Sequence, residues 1–193
     1  YSVQLLVSNM FGCTDTANQS LSINPTPVAE FNVDFLAGCS PLTVNIANTS
    51  LHADDISWDF GDGTTSNSTD SLQQHVYENS TSSVIEFDIV LATNSIEGCS
   101  SQYTQTVTVY PGVIADFVDP ESFCSPAIIN FSNLSLNALS YQWDFDNGQV
   151  SMMQNPTTIF TNDTDDPITY DVLLIATSSF GCVDTLSHDV VVN

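Results

Sequence analysis

Hydrophobic residues along this chain recur at every second position, in short runs broken by Gly, Pro, Asn and Asp. Leu42-Thr43-Val44-Asn45-Ile46 is one such run and Ile56-Ser57-Trp58-Asp59-Phe60 is another. Phe87-Asp88-Ile89-Val90-Leu91 and Tyr170-Asp171-Val172-Leu173-Leu174 open longer ones. A period of two lines alternate side chains along one strand face, and no stretch carries the 3.6-residue period of a helix. Short strands separated by turn signals predict an all-β chain built of sandwiches.

The pattern is written more than once. Trp58-Asp59-Phe60-Gly61-Asp62-Gly63 recurs 85 residues later (143 − 58) as Trp143-Asp144-Phe145-Asp146-Asn147-Gly148. Both read as a strand end running into a tight turn, with Trp and Phe facing the core and Asp facing away. Gly63 and Gly148 supply the positive φ such a turn demands. Cys39-Ser40-Pro41 returns as Cys124-Ser125-Pro126, and Ala47-Asn48-Thr49-Ser50 as Ser132-Asn133-Leu134-Ser135. Gly12-Cys13, Gly98-Cys99 and Gly181-Cys182 keep the same steps as Tyr1, Phe87 and Tyr170. A fixed period of this length is the mark of a tandem array. Three segments are expected: 1–27, the closing hairpin of an upstream partial repeat, then full sandwiches over 28–111 and 112–193. The chain reads as a piece of a longer protein.

In order, the alternation predicts strands over 1–11 (Val3, Leu5, Val7) and 14–24 (Leu21, Ile23), with a turn at Gly12-Cys13. Pro25-Thr26-Pro27 is a first stiff junction. The first full repeat should run through Val28–Phe35, with Phe31, Val33 and Phe35 inward, then Leu42–Ile46 and Ile56–Phe60. A polar loop over 61–72 holds a short edge strand; His75-Val76-Tyr77, Val84–Thr93 and Tyr103–Tyr110 follow. Tyr110-Pro111-Gly112 is the second junction. The second repeat runs through Ile114–Phe117, Ile128–Phe131, Leu139–Phe145, Thr157–Phe160, Thr169–Ala176 and Ser187–Val192. Short Pro-containing linkers predict domains joined end to end.

The strand, the W-D-F-G-D-G turn, His75-Val76-Tyr77 and an aromatic-led alternating strand together resemble the PKD (polycystic-kidney-disease-type) repeat. That resemblance implies an Ig-like β-sandwich of an extracellular protein. The Gly-Cys-Ser-Pro start and Gly-Cys end are similar to PKD-like repeats of large Bacteroidetes-type cell-surface proteins and adhesins. The second repeat departs from the motif, with Asp146-Asn147 in place of Gly61-Asp62 and no His-x-Tyr. A fold of this kind says little about function.

Charge changes the picture most. The chain has 23 Asp and Glu, three His, and neither Lys nor Arg. It has nothing to neutralise phosphates, so nucleic acid is excluded as a partner, as is electrostatic attraction to an anionic membrane. No apolar run is long enough to span a bilayer, so no membrane insertion is expected. Two accounts fit the missing cations: drift under selection for solubility or salty water, and resistance to proteases that cut at Lys or Arg.

The cysteines follow the repeat, one near the start and one near the end of each full unit. Their placement predicts intradomain disulfides Cys39–Cys99 and Cys124–Cys182, with the partner of Cys13 upstream; no C-x-x-C pair has zinc spacing. Closing the first loop would stabilise by about 4 kcal/mol in the chain-entropy model. Disulfides imply an exported, extracellular or cell-surface location.

Candidate chemistry is thin. Asp59/Asp62 and Asp144/Asp146 are paired acids, but they lie on a turn that the fold itself uses, and nothing sets one pKa against the other. Asp54, Asp55 and Asp62, with Asp119, Glu121, Asp163, Asp165 and Asp166, are loop oxygen donors. They suit Ca²⁺, the one cofactor the donor set points to, although no D-x-D-x-D-G loop occurs. His75 is expected to make a structural hydrogen bond, and His52 and His188 lie apart from it. Asn18, Asn48, Asn67, Asn79, Asn130, Asn133 and Asn162 head N-x-[ST] sequons. Thr16, Ser71 and Thr185 sit in Asp-Ser/Thr-apolar triplets resembling the O-glycosylation sites of Bacteroidetes-type bacteria. No nucleophile elbow, phosphate loop or dinucleotide fingerprint is present.

These features predict a non-enzymatic structural segment of an extracellular stalk, fibre or adhesin that spaces a functional tip from the cell. Its expected partners are other repeats of the chain or neighbouring copies, and glycans or cell-surface ligands. The alternative is an accessory module binding polysaccharide or protein beside a secreted hydrolase. Such a module would want an exposed aromatic patch, whereas both Trp residues fall at core-facing positions.

Overall fold

The computed structural model describes residues 1–118 and 122–193. Its elements are strands, as the alternation predicts. β1 (Ser2–Ser8) and β2 (Thr14–Ser20) make an antiparallel hairpin. The next eight strands are β3 (Phe31–Val33), β4 (Ala37–Cys39), β5 (Leu42–Asn48), β6 (Asp55–Asp59), β7 (Thr65–Ser66), β8 (Leu72–Tyr77), β9 (Ile85–Asn94) and β10 (Ser100–Tyr110). They form two sheets, β3-β5-β8 and β4-β10-β9-β6-β7. Then come β11 (Ala127–Asn130), β12 (Ser140–Asp144), β13 (Val150–Ser151), β14 (Thr157–Phe160), β15 (Ile168–Thr177) and β16 (Val183–Val192), in sheets β11-β14 and β13-β12-β15-β16.

The second order repeats the first. The counterparts of β3 and β4 in the second unit are single bridges, Phe117 to Asn133 and Phe123 to Val192. Parallel pairing of β4 along the end of β10 brings Cys39 opposite Tyr110.

Two separate cores fill the sandwiches. One contains Phe31, Val44, Ile46, Trp58, Tyr77, Ile89, Leu91, Val107 and Val109; the other contains Phe117, Ile129, Phe131, Trp143, Phe160, Val172, Leu174 and Val190. Each Trp is fully enclosed and stacks parallel to the Phe two residues on, Trp58 on Phe60 and Trp143 on Phe145. A buried indole needs an acceptor, and each finds a backbone carbonyl in the loop that follows its turn: Ser68 O at 3.2 Å and Met153 O at 3.0 Å.

Two expected strands are shorter than the alternation suggests, for one physical reason. Side-chain oxygens take the N–H groups that a neighbouring strand would otherwise bind. Over 28–35 only Phe31–Val33 pairs. Asp34 breaks the run by accepting the Asn45 N–H at 2.9 Å and its side-chain amide at 2.7 Å, so Phe35 points outward. The Asn45 amide group is also what holds the Asp34 carboxyl below its ordinary pKa. Over 114–117, Asp184 and Ser135 accept from the N–H groups of Ala115 and Asp116, leaving bridges at Ile114 and Phe117. Leu21 and Ile23 lie beyond the end of β2 and are exposed.

The Trp-Asp-Phe turn ties the two sheets together. Gly61 and Gly63 take φ of +79° and +91°, and Asp146 and Gly148 take +55° and +80° at the second turn. A Cβ on Gly61 would come within 2.8 Å of the Asp88 backbone, so this glycine serves close approach as well as conformation. Asp62 accepts from Thr64 and pairs with His75 Nε2 at 2.7 Å, joining the β6–β7 turn to β8 of the opposite sheet. The His75 ring stacks on Phe60, 4.2 Å between centroids. The Tyr77 hydroxyl, donating to Phe60 O at 3.0 Å, is driven well above its ordinary pKa by burial and by Asp62 and Asp59.

The second unit holds the same place without a charge pair. Asn147 donates to Ile159 O at 3.0 Å and Thr158 donates to Gln149 at 2.8 Å, which accounts for the missing His-x-Tyr.

Burial raises the pKa of Asp62, but the Thr64 and His75 hydrogen bonds outweigh it and the net shift is downward. The stabilisation is therefore present above the ordinary Asp value of about 3.9 and is lost as pH falls through the lower folded value. Asp62→Asn should cost about 1 kcal/mol at neutral pH, with the deficit closing as pH falls below the ordinary Asp value; thermal melts of both proteins across pH measure it.

Candidate functional site at the repeat junction

The structure forms the disulfide Cys39–Cys182, with Cα atoms 5.6 Å apart across a sequence separation of 143. The predicted Cys39–Cys99 and Cys124–Cys182 pairs are not formed, and Cys13, Cys99 and Cys124 are free and exposed. Strand length is the reason. Cys39 lies opposite Tyr110, the last residue of the eleven-residue β10, and Cys99 immediately precedes its first. At about 3.3 Å per residue they are about 36 Å apart, and a disulfide requires Cα atoms within about 7 Å. Cys182 and Cys124 likewise sit at opposite ends of the ten-residue β16. Each sandwich thus carries one cysteine at each pole, and the bond joins facing poles of successive sandwiches.

One pole is built by the Cys-Ser-Pro segment. Ser40 N–H donates to Tyr110 O at 3.0 Å, and Ser40 Oγ accepts from Asn79 N–H at 2.7 Å. Asn79 is buried and sends its side-chain amide to Val109 O and Ser83 O, both at 2.8 Å. Thr81 closes the loop onto Asn79 Oδ1. The sequon Asn79-Ser80-Thr81 is therefore a structural clamp that holds Cys39 beside the end of β10. Asn162-Asp163-Thr164 repeats it around Ser125, Val192 and Asp166.

The opposite pole is the tip of the long hairpin. Ser178 accepts from Gly181 N–H and donates its own N–H to Cys182 O, and its hydroxyl accepts from the N–H of Phe180 and Cys182. Gly181, at φ +84°, makes the turn and presents Phe180 and Cys182 together. Phe180 stacks on Tyr110 of the preceding sandwich, with centroids 4.7 Å apart and planes 5° from parallel. Asn137, at φ +58°, donates to Gly112 O at 2.9 Å. A Cβ on Gly112 would meet Ser40 O at 3.1 Å, so the linker runs close against the first sandwich. A covalent bond, an aromatic stack and a linker hydrogen bond thus close one junction.

The predicted metal donors do not assemble. Asp54 and Asp55 lie at the start of β6 and Asp62 in the turn beyond its end. Asp54 is already engaged, accepting from Ile96 N–H at 2.8 Å. Among the described residues no three His, Cys, Asp or Glu side chains come together as a metal site. Asp119 and Glu121 lie outside the described residues. Asp59 and Asp144 accept from the N–H of Gly61 and Asp146 and serve the turns. His52, at φ +55°, lines a shallow surface hollow with Asn24, Pro25 and Glu97, while His188 lies edge-on to Phe117. Thr16, Ser71 and Thr185 are exposed. No helix is long and apolar enough to cross a membrane.

Sequence reasoning missed the junction because the pairing partner was sought within one repeat. The signal was present: Gly-Cys lies at a hairpin tip and Cys-Ser-Pro beside the far end of the same hairpin, so a pole-to-pole strand separates them.

Two outcomes check this site. A non-reducing peptide map should show Cys39 joined to Cys182 and alkylated Cys13, Cys99 and Cys124; digestion must cut at acidic residues, since trypsin has no site. Secreted from a eukaryotic host, the chain should accept N-glycans at exposed sequons such as Asn18 and Asn67 and none at Asn79 or Asn162, as occupancy by mass spectrometry will show.

No family profile and no curated protein matches the chain. Among solved structures it is similar to the PKD1 domain of Vibrio cholerae metalloprotease PrtV, at 27% identity over 45% of this chain and 99% of that one, TM-score 0.36. It is also similar to the PKD1 domain of Vibrio anguillarum Epp, at 24% identity over 46% of this chain and 99% of that one, TM-score 0.37. Along 99% of its length it matches 71% of a structure from a 1.5-MDa bacterial ice-binding adhesin, at 12% identity and TM-score 0.37. The two units thus share one turn motif and one sheet order as Ig-like β-sandwich repeats, and what they are similar to among solved structures includes PKD domains.

Proposed function

We propose that this chain is a non-catalytic segment of an extracellular stalk or adhesin, in which sandwiches linked pole to pole hold a functional tip away from the cell surface. The observation that carries this reading is the Cys39–Cys182 bond, which ties facing poles of successive repeats. A disulfide of this kind persists in an oxidising, exported setting. Stacking of Tyr110 on Phe180 and the close fit of Gly112 against Ser40 oppose bending at the same place. A spacer needs stiffness at its joints more than it needs a pocket. Burial of both Trp residues leaves no Trp surface for polysaccharide.

The high negative charge suits this role. Net charge of −23 keeps neighbouring copies apart and leaves the shaft soluble. Exposed Thr16, Ser71 and Thr185 are candidate attachment points for O-linked sugar on such a shaft.

Small-angle scattering on the oxidised chain should give a maximum dimension of two sandwiches in line. The variant with both Cys39→Ser and Cys182→Ser should give a broader distance distribution with each sandwich still folded. A compact distribution for the oxidised chain would overturn the stalk reading.

A further inference from the structure

We infer that Cys99 and Cys124 are half-sites of the same junction staple, each shaped for the opposite pole of another repeat of this type. Cys124 takes the hairpin-tip cysteine of a following repeat. Cys99 takes the cysteine of a Cys-Ser-Pro segment in a preceding one. Every junction of the array is then covalently closed, and each disulfide belongs to two repeats. This inference rests on the tandem-stalk reading above.

The pole that presents Cys124 is built bond for bond like the pole that presents Cys39. Ser125 N–H donates to Asn193 O at 2.9 Å, where Ser40 N–H donates to Tyr110 O at 3.0 Å. Ser125 Oγ accepts from Asn162 N–H at 2.8 Å, and the Asn162 amide reaches Val192 O at 2.8 Å. Phe123 bridges Val192 in parallel, as β4 lies along β10. The structure thus spends a buried Asn clamp on holding a thiol that remains exposed.

The tip that presents Cys99 is equally complete. Ser95 N–H donates to Cys99 O at 2.8 Å, Gly98 N–H donates to Ser95 O at 3.0 Å, and Cys99 N–H reaches Ser95 Oγ at 3.2 Å. These are the contacts of the Ser178–Cys182 tip. A second, independent observation shows what docks there. Asn24 and Glu97 hold the positions of Tyr110 and Phe180, one before the proline of the linker and one before the glycine of the tip, and Asn24 donates to Glu97. The segment that follows β2 therefore already touches this tip at the positions where the first sandwich touches the next. Val3, Leu5, Leu6 and Val7 of the β1–β2 hairpin are more than half exposed, an apolar surface on which strands of another repeat, with its Cys-Ser-Pro segment, would pack beside Cys99.

Closure is an oxidation. The two thiols lose two protons and two electrons as the S–S bond forms, and a small disulfide such as oxidised glutathione accepts them and leaves as two thiols.

The test keeps the whole chain and extends it in register: residues 1–193 followed directly by a second copy of 25–193, since Asn193 and Asn24 are equivalent positions. The monomer is oxidised with glutathione, isolated by size exclusion and mapped without reduction. The expected result is a Cys124–Cys99 link across the join beside two Cys39–Cys182 links, so that free thiols stay at three, as in the parent chain. Formation of Cys39–Cys182 in the same sample certifies folding. Five free thiols with Cys39–Cys182 intact, or Cys124 joined to Cys182, would overturn the inference. Scattering on the same monomer separates it from the stalk reading: an elongated particle with five thiols refutes the staple alone, and a compact particle with three refutes the stalk alone.

Discussion

The length of the central hairpins governs this molecule. β9 with β10 and β15 with β16 pair over about ten residues each, so a single strand reaches from one pole of a sandwich to the other. The strand is rigid because its backbone hydrogen bonds are closed on one side by its hairpin partner and, for β9 and β15, on the other by β6 or β12. Whatever stands at its two ends is held about 33–36 Å apart. That separation decides which cysteines can meet, where the linker leaves and which aromatic side chain faces the next repeat.

The absence of Lys and Arg forces the polar closure of the fold into another form. Carboxylates ordinarily find cationic partners; here they accept from backbone N–H groups and hydroxyls. Asp59, Asp62 and Asp144 accept from turn amides, Asp34 from Asn45, Asp54 from Ile96 and Asp184 from Ala115. Asn does the same service at the poles, where Asn79 and Asn162 are buried with their amides engaged. Each such contact satisfies a backbone group that would otherwise be stranded at a strand end, which is why short, interrupted strands are tolerated at the edges.

The two repeats solve one problem with different residues. Asp62 with His75 and the Tyr77 hydroxyl brace the first turn, while Asn147, Thr158 and Gln149 brace the second with neutral groups. At the junctions, Tyr110 against Phe180 corresponds to Asn24 against Glu97. What is kept through both exchanges is the contact between the same backbone positions, because the strands and turns dictate those positions and the side chains only fill them.

Much of this was legible in the residues alone. Alternation along Leu42–Ile46, Ile56–Phe60 and their counterparts marks strands with one buried face, because a period of two admits no other regular structure. The repeated Trp-Asp-Phe turn marks its own positive-φ positions, since Gly or a short polar residue is needed there. The structural role of His75 was legible as well, through its motif. The cysteine pairing was not, and neither was the failure of Asp54, Asp55 and Asp62 to converge. Spacing in sequence measures chain length, whereas a disulfide or an ion responds to distance in space. Only the folded hairpins, by carrying residues 39 and 99 to opposite poles and residues 39 and 182 to facing ones, decided which thiols meet.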